Sequence, residues 1–318
     1  MRDSKKKPLN VHLYVTPVCN LHCKHCYYEA WGTDRVPNDV ISLDQIAHAI
    51  ITLCDRYDVD MHMEGGEMFL RQDLQRLFQM VPDLYWRYVT MTTNGVVKLN
   101  VSYDSLRLLG DLRISVEGHT DEINYGMRGV LLRPILQTCT QLRDNEVPFT
   151  YRITLHKKNF KHFESMIRFF TQEGSSRFSF FEFQPVGWGT DSQDEYGMAE
   201  AELEQVIQYM ASTPVPADVE TLKLSISPSR VHLVDRNRSQ LESQGYEVIK
   251  VGGDASITIN ANGDLGIDPW MVKAGYTPDR FANLANVDLG GVVAEQMEEG
   301  SLYKYSVHVS EVQVRFKR

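Results

Sequence analysis

The chain is constrained most by a regular alternation of predicted strands and predicted helices over its first two thirds. Six predicted strands cover residues 11–15, 59–63, 88–92, 112–116, 149–155 and 178–184. A segment with helical apolar spacing follows each one, and the first helix starts at a capping box, Ser42-Leu-Asp-Gln45. Alternation of this kind predicts parallel βαβ units. Six units are too few for a closed eight-stranded barrel, so we predict an open, partial (β/α)6 TIM-like barrel.

The loop after the first predicted strand carries a C-x3-C-x2-C motif, formed by Cys19, Cys23 and Cys26. Cysteine thiolates are the usual ligands of iron–sulfur clusters, and a cubane takes four of them. Three thiolates leave one iron open to a small molecule. A zinc site is the alternative, with the three sulfurs and either His22 or His25 as ligands.

Composition limits the partners and the compartment. The 318 residues suffice for one large and one small domain, and the net charge of −9 argues against nucleic acid as the main partner. The five cysteines are an odd number, and three of them share one motif, so we expect no disulfide framework and infer a reducing, cytoplasmic compartment. No segment is apolar enough for a signal peptide or a membrane span.

The last hundred residues differ from the barrel pattern. We predict a basic tail over residues 1–9, the barrel over 10–215, and a small α+β domain over 216–318. In the last of these, two β-prone segments flank Asn262-Gly263, which predicts a β-hairpin.

The cysteine motif resembles that of the radical S-adenosylmethionine (SAM) superfamily. The resemblance implies one [4Fe-4S] cluster on the three cysteines and SAM chelated to the open iron. An electron from the cluster then cleaves SAM, and the 5′-deoxyadenosyl radical abstracts hydrogen from a substrate. A low-potential electron donor, flavodoxin or ferredoxin, is implied as a partner.

Further motifs extend this resemblance and imply SAM-binding residues. Gly65-Gly66-Glu67 is similar to the family motif whose glutamate binds the SAM amine, and paired glycines permit a close backbone approach. Ser115 and Arg128 match the residues that hold the SAM carboxylate, although Glu117 stands where aspartate is more common. Asn94 matches a ribose contact, and His25 matches the aromatic position near adenine.

The predicted hairpin resembles that of the SPASM and twitch domains of many radical SAM enzymes. In those domains a cysteine after the hairpin binds an auxiliary cluster, whereas here Asp268-Pro269-Trp270 occupies that place and no cysteine follows Cys139. We therefore expect no cysteine-ligated auxiliary cluster in the C-terminal domain. The remaining thiols, Cys54 and Cys139, lie on apolar helix faces and are predicted to be core residues.

Three polar residues are candidates for catalysis. Alternation on the fifth and sixth strands predicts that Arg152 and Glu182 point into the barrel, opposite Phe181 and Phe183. A structural Arg152–Glu182 ion pair is the alternative, because buried charges are usually paired. Asp268 is the candidate for a substrate-facing acid or base.

Three functions remain open on the sequence. The first is modification of a peptide substrate, as in many relatives with such C-terminal domains. The second is epimerisation or dehydrogenation of a sugar, an aminocyclitol or another small natural product. The third is a non-catalytic iron–sulfur or zinc-binding protein, which the matches to SAM-binding motifs disfavour.

Overall fold

The structure is a computed structural model that describes residues 6–35, 40–251, 253–303 and 309–314. Within these ranges the strands are β1 Pro8–Tyr14, β2 Asp58–Glu64, β3 Val89–Thr93, β4 Asp111–Val116, β5 Thr150–Leu155, β6 Arg177–Glu182, β7 Thr221–Ile226, β8 Tyr246–Val251, β9 Ala255–Ile259, β10 Asp264–Gly266, β11 Ala282–Asn283 and β12 Val309–Val314. The α-helices are α1 Leu43–Arg56, α2 Leu74–Met80, α3 Asp83–Trp86, α4 Tyr103–Arg107, α5 Asp121–Arg128, α6 Leu132–Asp144, α7 Phe163–Gln172, α8 Gln193–Tyr196, α9 Glu200–Ser212, α10 Val231–Ser243 and α11 Leu289–Glu298.

The chain forms two compact units. The first comprises residues 1–22, 26–113 and 253–306, and the second comprises residues 23–25, 114–252 and 307–318. The two units are defined by how closely their residues pack. They do not test the predicted domain boundary between residues 215 and 216, which stays a prediction. β1 begins at Pro8, so residues 8 and 9 of the predicted basic tail belong to a strand, and residues 1–5 lie outside the described ranges.

The first unit is built on strands in the order β11-β10-β9-β1-β2-β3. β9, β1, β2 and β3 run parallel, whereas β10 pairs antiparallel with β9 and confirms the predicted hairpin. One face of β1 is apolar, since Val11 and Leu13 are fully buried. The helix α1 begins at the predicted capping box, with Ser42 and Gln45 each bonding the other's backbone N–H.

The second unit contains the strand order β5-β6-β7-β12-β8, and β4 begins in the first unit and ends in the second. β5, β6 and β7 are parallel, while β12 pairs antiparallel with β7 and β8. Phe178 and Phe180 of β6 are buried, and the Phe180 ring packs against Phe163 of α7 at 4.7 Å. Strands and helices alternate as the sequence predicts, and the fold is mixed α/β with a parallel sheet. None of the helices in the described ranges is long and apolar enough to cross a membrane.

Candidate active site

The cysteine loop follows β1 and closes on itself through backbone hydrogen bonds. The Cys19 N–H donates to the Trp31 carbonyl at 2.8 Å, and the Trp31 N–H donates to the Pro17 carbonyl at 2.7 Å. The Leu21 N–H lies 3.4 Å from the Cys19 sulfur, where it would donate to a thiolate. Cys19 and Cys26 pack against a buried apolar cluster that includes Tyr14 and Tyr28. The loop is therefore held by both its backbone and its side chains.

Gly65 and Gly66 allow the backbone after β2 to contact the start of the cysteine loop. The Gly66 N–H donates to the Thr16 carbonyl at 2.8 Å, and the Glu67 N–H donates to the Val18 carbonyl at 2.8 Å. A Cβ on Gly66 would stand 2.0 Å from the Val18 carbonyl oxygen, and Gly65 has φ +143°. Only glycine fits such an approach, so the pair positions the cysteine loop whether or not it also contacts SAM.

The Glu67 carboxylate is buried and binds backbone and side-chain donors. Its Oε1 accepts from the Phe69 N–H at 3.1 Å and the Thr93 hydroxyl at 2.8 Å, while Oε2 accepts from the Asn94 N–H at 2.8 Å. A carboxylate offers about four acceptor positions, and at least three are used here. The predicted contact with the SAM amine stays a prediction.

Asn94 faces the cysteine loop. Its side-chain Nδ2 donates to Asn20 Oδ1 at 2.8 Å and lies 3.9 Å from the Cys19 sulfur. Its side-chain oxygen accepts from the Val96 N–H at 2.9 Å, so the amide is oriented by two neighbours. The structure thus places Asn94 beside the loop, and its predicted ribose contact stays a prediction.

In the second unit, Glu117 is the centre of a buried polar group. Its Oε1 lies 2.8 Å from Arg128 Nη1 and 3.3 Å from His25 Nε2, and its Oε2 accepts from the Thr154 N–H at 3.0 Å. Burial raises the pKa of Glu117 to about 7, and Arg128 acts in the opposite direction. Burial lowers the pKa of His25 well below its ordinary value.

Arg128 and His25 both have partners within the chain, and their predicted contacts with SAM stay predictions. Arg128 is 6% exposed and its guanidinium already binds a carboxylate of the chain, so a SAM carboxylate would share it with Glu117. His25 also contacts the Glu117 carboxylate, so it is not an isolated residue of an exposed loop. Ser115 lies on β4 and is 8% exposed, and its predicted SAM contact stays a prediction.

The predicted orientation of Glu182 is wrong, and so is the alternative that it pairs with Arg152. Arg152 pairs in register with Ser179, and its guanidinium lies 4.5 Å from the centre of the Phe181 ring, so these residues share one face. Glu182 lies on the opposite face, where Arg230 Nη1 approaches its Oε1 at 2.7 Å. Both faces of β6 carry phenylalanine, so the alternation of residues along the strand could not show which face is apolar.

Asp268 follows the hairpin strand β10. Its Oδ1 accepts from the Trp270 N–H at 2.9 Å, and its own N–H donates to Asp279 Oδ2 at 2.8 Å. Burial raises the pKa of the Asp268 carboxyl, while the hydrogen bond from the Trp270 N–H lowers it. The predicted acid or base role of Asp268 stays a prediction.

The sequence did not predict a network of hydrogen bonds beside Cys26. The Tyr27 hydroxyl donates to Glu64 Oε2 and lies 3.1 Å from the Tyr14 hydroxyl, which is 3.2 Å from the Pro269 carbonyl oxygen. Burial, followed by the charge of Glu64, raises the pKa of Tyr27 well above its ordinary value. No local sequence pattern brings Glu64 and Pro269 next to Tyr14 and Tyr27.

The donor set of the cysteine loop fits an iron–sulfur cluster, whose usual ligands are cysteine thiolates. The three thiols form no disulfide and are each partly exposed. In a cubane each thiolate binds a different iron, so its ligands spread over a larger core.

Comparison with known families identifies the loop. The model of the Radical SAM superfamily matches residues 13–170, which include the cysteine motif, Gly65-Gly66-Glu67, Asn94, Ser115 and Arg128. The chain belongs to the radical SAM superfamily. It is therefore an enzyme, and the cofactors of this radical SAM enzyme are a [4Fe-4S] cluster and SAM.

Two curated proteins are similar to the chain in sequence. A protein of Saccharolobus islandicus named probable GTP 3′,8-cyclase is 25% identical over an alignment of 328 residues that covers 100% of both chains. A Sulfurisphaera tokodaii protein of the same name is 25% identical over 202 residues, covering 62% of this chain and 63% of that protein.

Two crystal structures share the fold at low identity. Streptococcus suis SuiB bound to S-adenosylmethionine superposes with a TM-score of 0.68 at 14% identity, covering 94% of this chain and 68% of SuiB. Native anSMEcpe with bound AdoMet gives a TM-score of 0.63 at 12% identity, covering 94% of this chain and 84% of that one. The prediction of a partial (β/α)6 TIM-like barrel is confirmed, while the likeness of the C-terminal region to SPASM or twitch domains stays a prediction.

The cofactors and the chain have different roles in the reaction. The cluster and SAM supply the electron and the radical precursor when bound. The chain supplies a closed cysteine loop, a backbone approach made possible by two glycines, and a buried Glu117 that orients Arg128 and His25. Orientation of this kind limits the motion of groups that must meet in one geometry.

Proposed function

We propose that this radical SAM enzyme abstracts a hydrogen atom from a peptide substrate. The observation that carries the proposal is an exposed apolar surface beside the cysteine loop. Trp270 is 46% exposed and Met271 is 52% exposed, and the Trp270 ring lies 5.5 Å from the ring of Tyr27, the residue after Cys26. Exposed aromatic and methionine side chains are enriched where proteins bind other chains.

The same proposal assigns roles to the site residues. Cys19, Cys23 and Cys26 hold the cluster, and their loop is positioned by Gly65 and Gly66. The SAM-binding group comprises His25, Gly65, Gly66, Glu67, Asn94, Ser115 and Arg128. Arg152 and Asp268 are the residues proposed to act on the substrate. Glu182 is left out of this set because its carboxylate serves Arg230.

A purine nucleotide is the second candidate substrate. It is favoured by the two curated relatives named probable GTP 3′,8-cyclase. Against it, Arg128 and Arg230 are each paired with a buried carboxylate, and the chain carries a net charge of −9. A triphosphate is best bound by cations that are not already neutralised by carboxylates.

The test supplies both substrate classes to the reconstituted enzyme with SAM and dithionite. We expect a pool of short synthetic peptides to increase the rate of 5′-deoxyadenosine formation and to yield peptides of altered mass, while GTP is recovered unchanged. Trp270→Ala should reduce the peptide-stimulated rate about tenfold, a loss typical of a central aromatic contact. Leu84→Ala, which removes another exposed apolar side chain, serves as the matched control. Consumption of GTP with no response to peptides would replace the peptide proposal by the nucleotide one.

The partners and compartment follow from this chemistry. Radical SAM enzymes act on a substrate and need a reductant. We propose that flavodoxin or ferredoxin delivers the electron, and that the enzyme works in the cytoplasm, where thiols stay reduced.

A further inference from the structure

The first unit has a sheet face that is polar along several strands. His12 of β1 stands between Thr258 of β9 and His62 of β2 in the strand register, and Tyr14 stands beside Glu64. Side chains in register on neighbouring parallel strands project from the same face. The opposite face of β1 carries fully buried Val11 and Leu13. The polar row is therefore a feature of one face rather than scattered residues.

Two buried atoms on this face have no hydrogen-bond partner in the described ranges. Thr258 is 0% exposed, and its Oγ1 atom makes no hydrogen bond to a described residue. His12 Nδ1 is also buried without one, although it lies 3.7 Å from Glu64 Oε2. Buried polar atoms in native proteins are nearly always hydrogen-bonded, and leaving one unsatisfied costs free energy. Both atoms lie on one face, where a bound molecule would satisfy them.

Carboxylates give the same neighbourhood an acidic character. Glu64 is 8% exposed at the end of β2. Asp268 is partly buried and precedes Pro269, whose carbonyl oxygen lies 3.2 Å from the Tyr14 hydroxyl. Asp279 Oδ2 accepts from the Ile267 and Asp268 N–H groups, at 2.7 Å and 2.8 Å, while its Oδ1 is buried without a hydrogen-bond partner among the described residues. These groups accept hydrogen bonds and favour a positively charged ligand.

We infer that this polar face, defined by Thr258, His12, Glu64 and Asp268, binds a basic side chain of the peptide substrate. The inference rests on the proposed function and specifies the chemistry of its substrate. A guanidinium group suits the site because it carries five donors and no acceptor. Glu64 and Asp268 supply carboxylate acceptors, Thr258 supplies a hydroxyl acceptor, and His12 Nδ1 accepts when the ring proton is on Nε2.

The test measures binding and does not depend on turnover. Isothermal titration of the reconstituted enzyme with SAM uses two capped tripeptides, acetyl-Gly-Arg-Gly-amide and its neutral citrulline isostere. We expect the arginine probe to bind at least tenfold more tightly, because hydrogen bonds to charged groups contribute about tenfold to a hundredfold in affinity. Glu64→Gln and Thr258→Val should each reduce this preference severalfold. Glu164→Gln, which removes one exposed carboxylate, should leave it unchanged.

Thr258→Val separates binding from folding. The substitution preserves the shape of a fully buried side chain and removes a hydroxyl that makes no hydrogen bond to any described residue. A merely structural role predicts unchanged or higher thermal stability together with unchanged probe binding. The inferred role predicts that stability is kept while the arginine preference falls severalfold. Thermal unfolding and iron content are measured on every variant.

Other outcomes overturn one proposal without the other. Equal affinity for the arginine and citrulline probes, or an undiminished preference in both variants, refutes the basic-side-chain site. If peptides are still turned over in that case, the proposed function stands without it. If the arginine probe binds as expected but no peptide stimulates SAM cleavage, the site stands and the peptide function fails.

Discussion

Single residues in this enzyme bind several partners at once, and Glu117 is the clearest case. Its two carboxylate oxygens contact Arg128, His25 and the Thr154 N–H, while its own N–H donates to Asn124 Oδ1 at 3.0 Å and its carbonyl accepts from Asn159 Nδ2 at 2.7 Å. Removing one partner of a buried ion pair typically costs about 3–5 kcal/mol, because a charge is left unpaired. Glu117 is thus both an anchor of the second unit and the group that orients His25.

A second residue gives a prediction about acid stability. His156 is fully buried, its Nδ1 accepts from the Lys158 N–H at 3.2 Å, and burial lowers its pKa to about 3. The unfolded chain binds a proton at this histidine as the pH falls below its ordinary value of 6.5, whereas the folded chain does not until about pH 3. The contribution of neutral His156 to stability is therefore complete above pH 6.5 and declines as the pH falls.

The measurement is the free energy of unfolding of cluster-free protein by urea at several pH values between about 4 and 7. We expect His156→Gln to flatten the acid-side loss of stability by up to ~1.4 kcal/mol per pH unit, the value for one proton. His48→Gln, at an exposed histidine, should keep the wild-type slope. An unchanged slope in His156→Gln would show that this histidine titrates equally in the folded and unfolded chains.

At the scale of elements, the contact between the end of β2 and the cysteine loop depends on glycine. A Cβ on Gly66 would lie 2.0 Å from the Val18 carbonyl oxygen and 2.9 Å from the Cys19 nitrogen, so the loop must move to accept alanine. We expect Gly66→Ala to lower the iron bound after reconstitution severalfold while the chain still folds.

The control for this prediction is a glycine with room for a methyl group. A Cβ on Gly126, within α5, would meet only the Tyr196 hydroxyl, at 3.4 Å. Gly126→Ala should therefore bind iron like the wild type. Iron content and circular dichroism are measured on both variants. Wild-type iron in Gly66→Ala would mean that the backbone contact does not position the cysteines.

Elements with a strong local pattern could be predicted from the sequence. The capping box at Ser42 and the hairpin turn at Asn262-Gly263 were found at the expected positions because their signals are local. The short helix α5 was missed, although Thr120 caps it and Gly129 ends it with φ +71°. The strand β7 was also missed, because its alternating Leu222, Leu224 and Ile226 lie between prolines that break the pattern.

Site residues with a local sequence signal could likewise be predicted, whereas those that depend on distant partners could not. Cys19, Cys23, Cys26 and the Gly65-Gly66 pair could be found because spacing and sequence neighbours define them. Glu64 and the Glu182–Arg230 pair could not, because their partners come from distant segments. The thiols of Cys54 and Cys139 are core groups as predicted, at 3% and 0% exposure, and burial raises the pKa of each to about 12.

For the whole molecule, one cluster site has to supply all the iron chemistry. The sequence has five cysteines, of which two are buried in helices and three lie in the loop after β1. Buried thiols with raised pKa values are poor metal ligands and poor nucleophiles. The three loop cysteines therefore predict one cluster per chain. Its iron and sulfide content can be measured on the intact enzyme.

The most direct test of the account is the iron and acid-labile sulfide content after anaerobic reconstitution, for the wild type and for the variant with Cys19, Cys23 and Cys26 all changed to Ala. A single [4Fe-4S] cluster gives about four iron and four sulfide per chain. We predict this value for the wild type and nearly none for the triple variant. The account is contradicted by about eight iron per chain, by iron retained in the triple variant, or by one zinc per chain without sulfide.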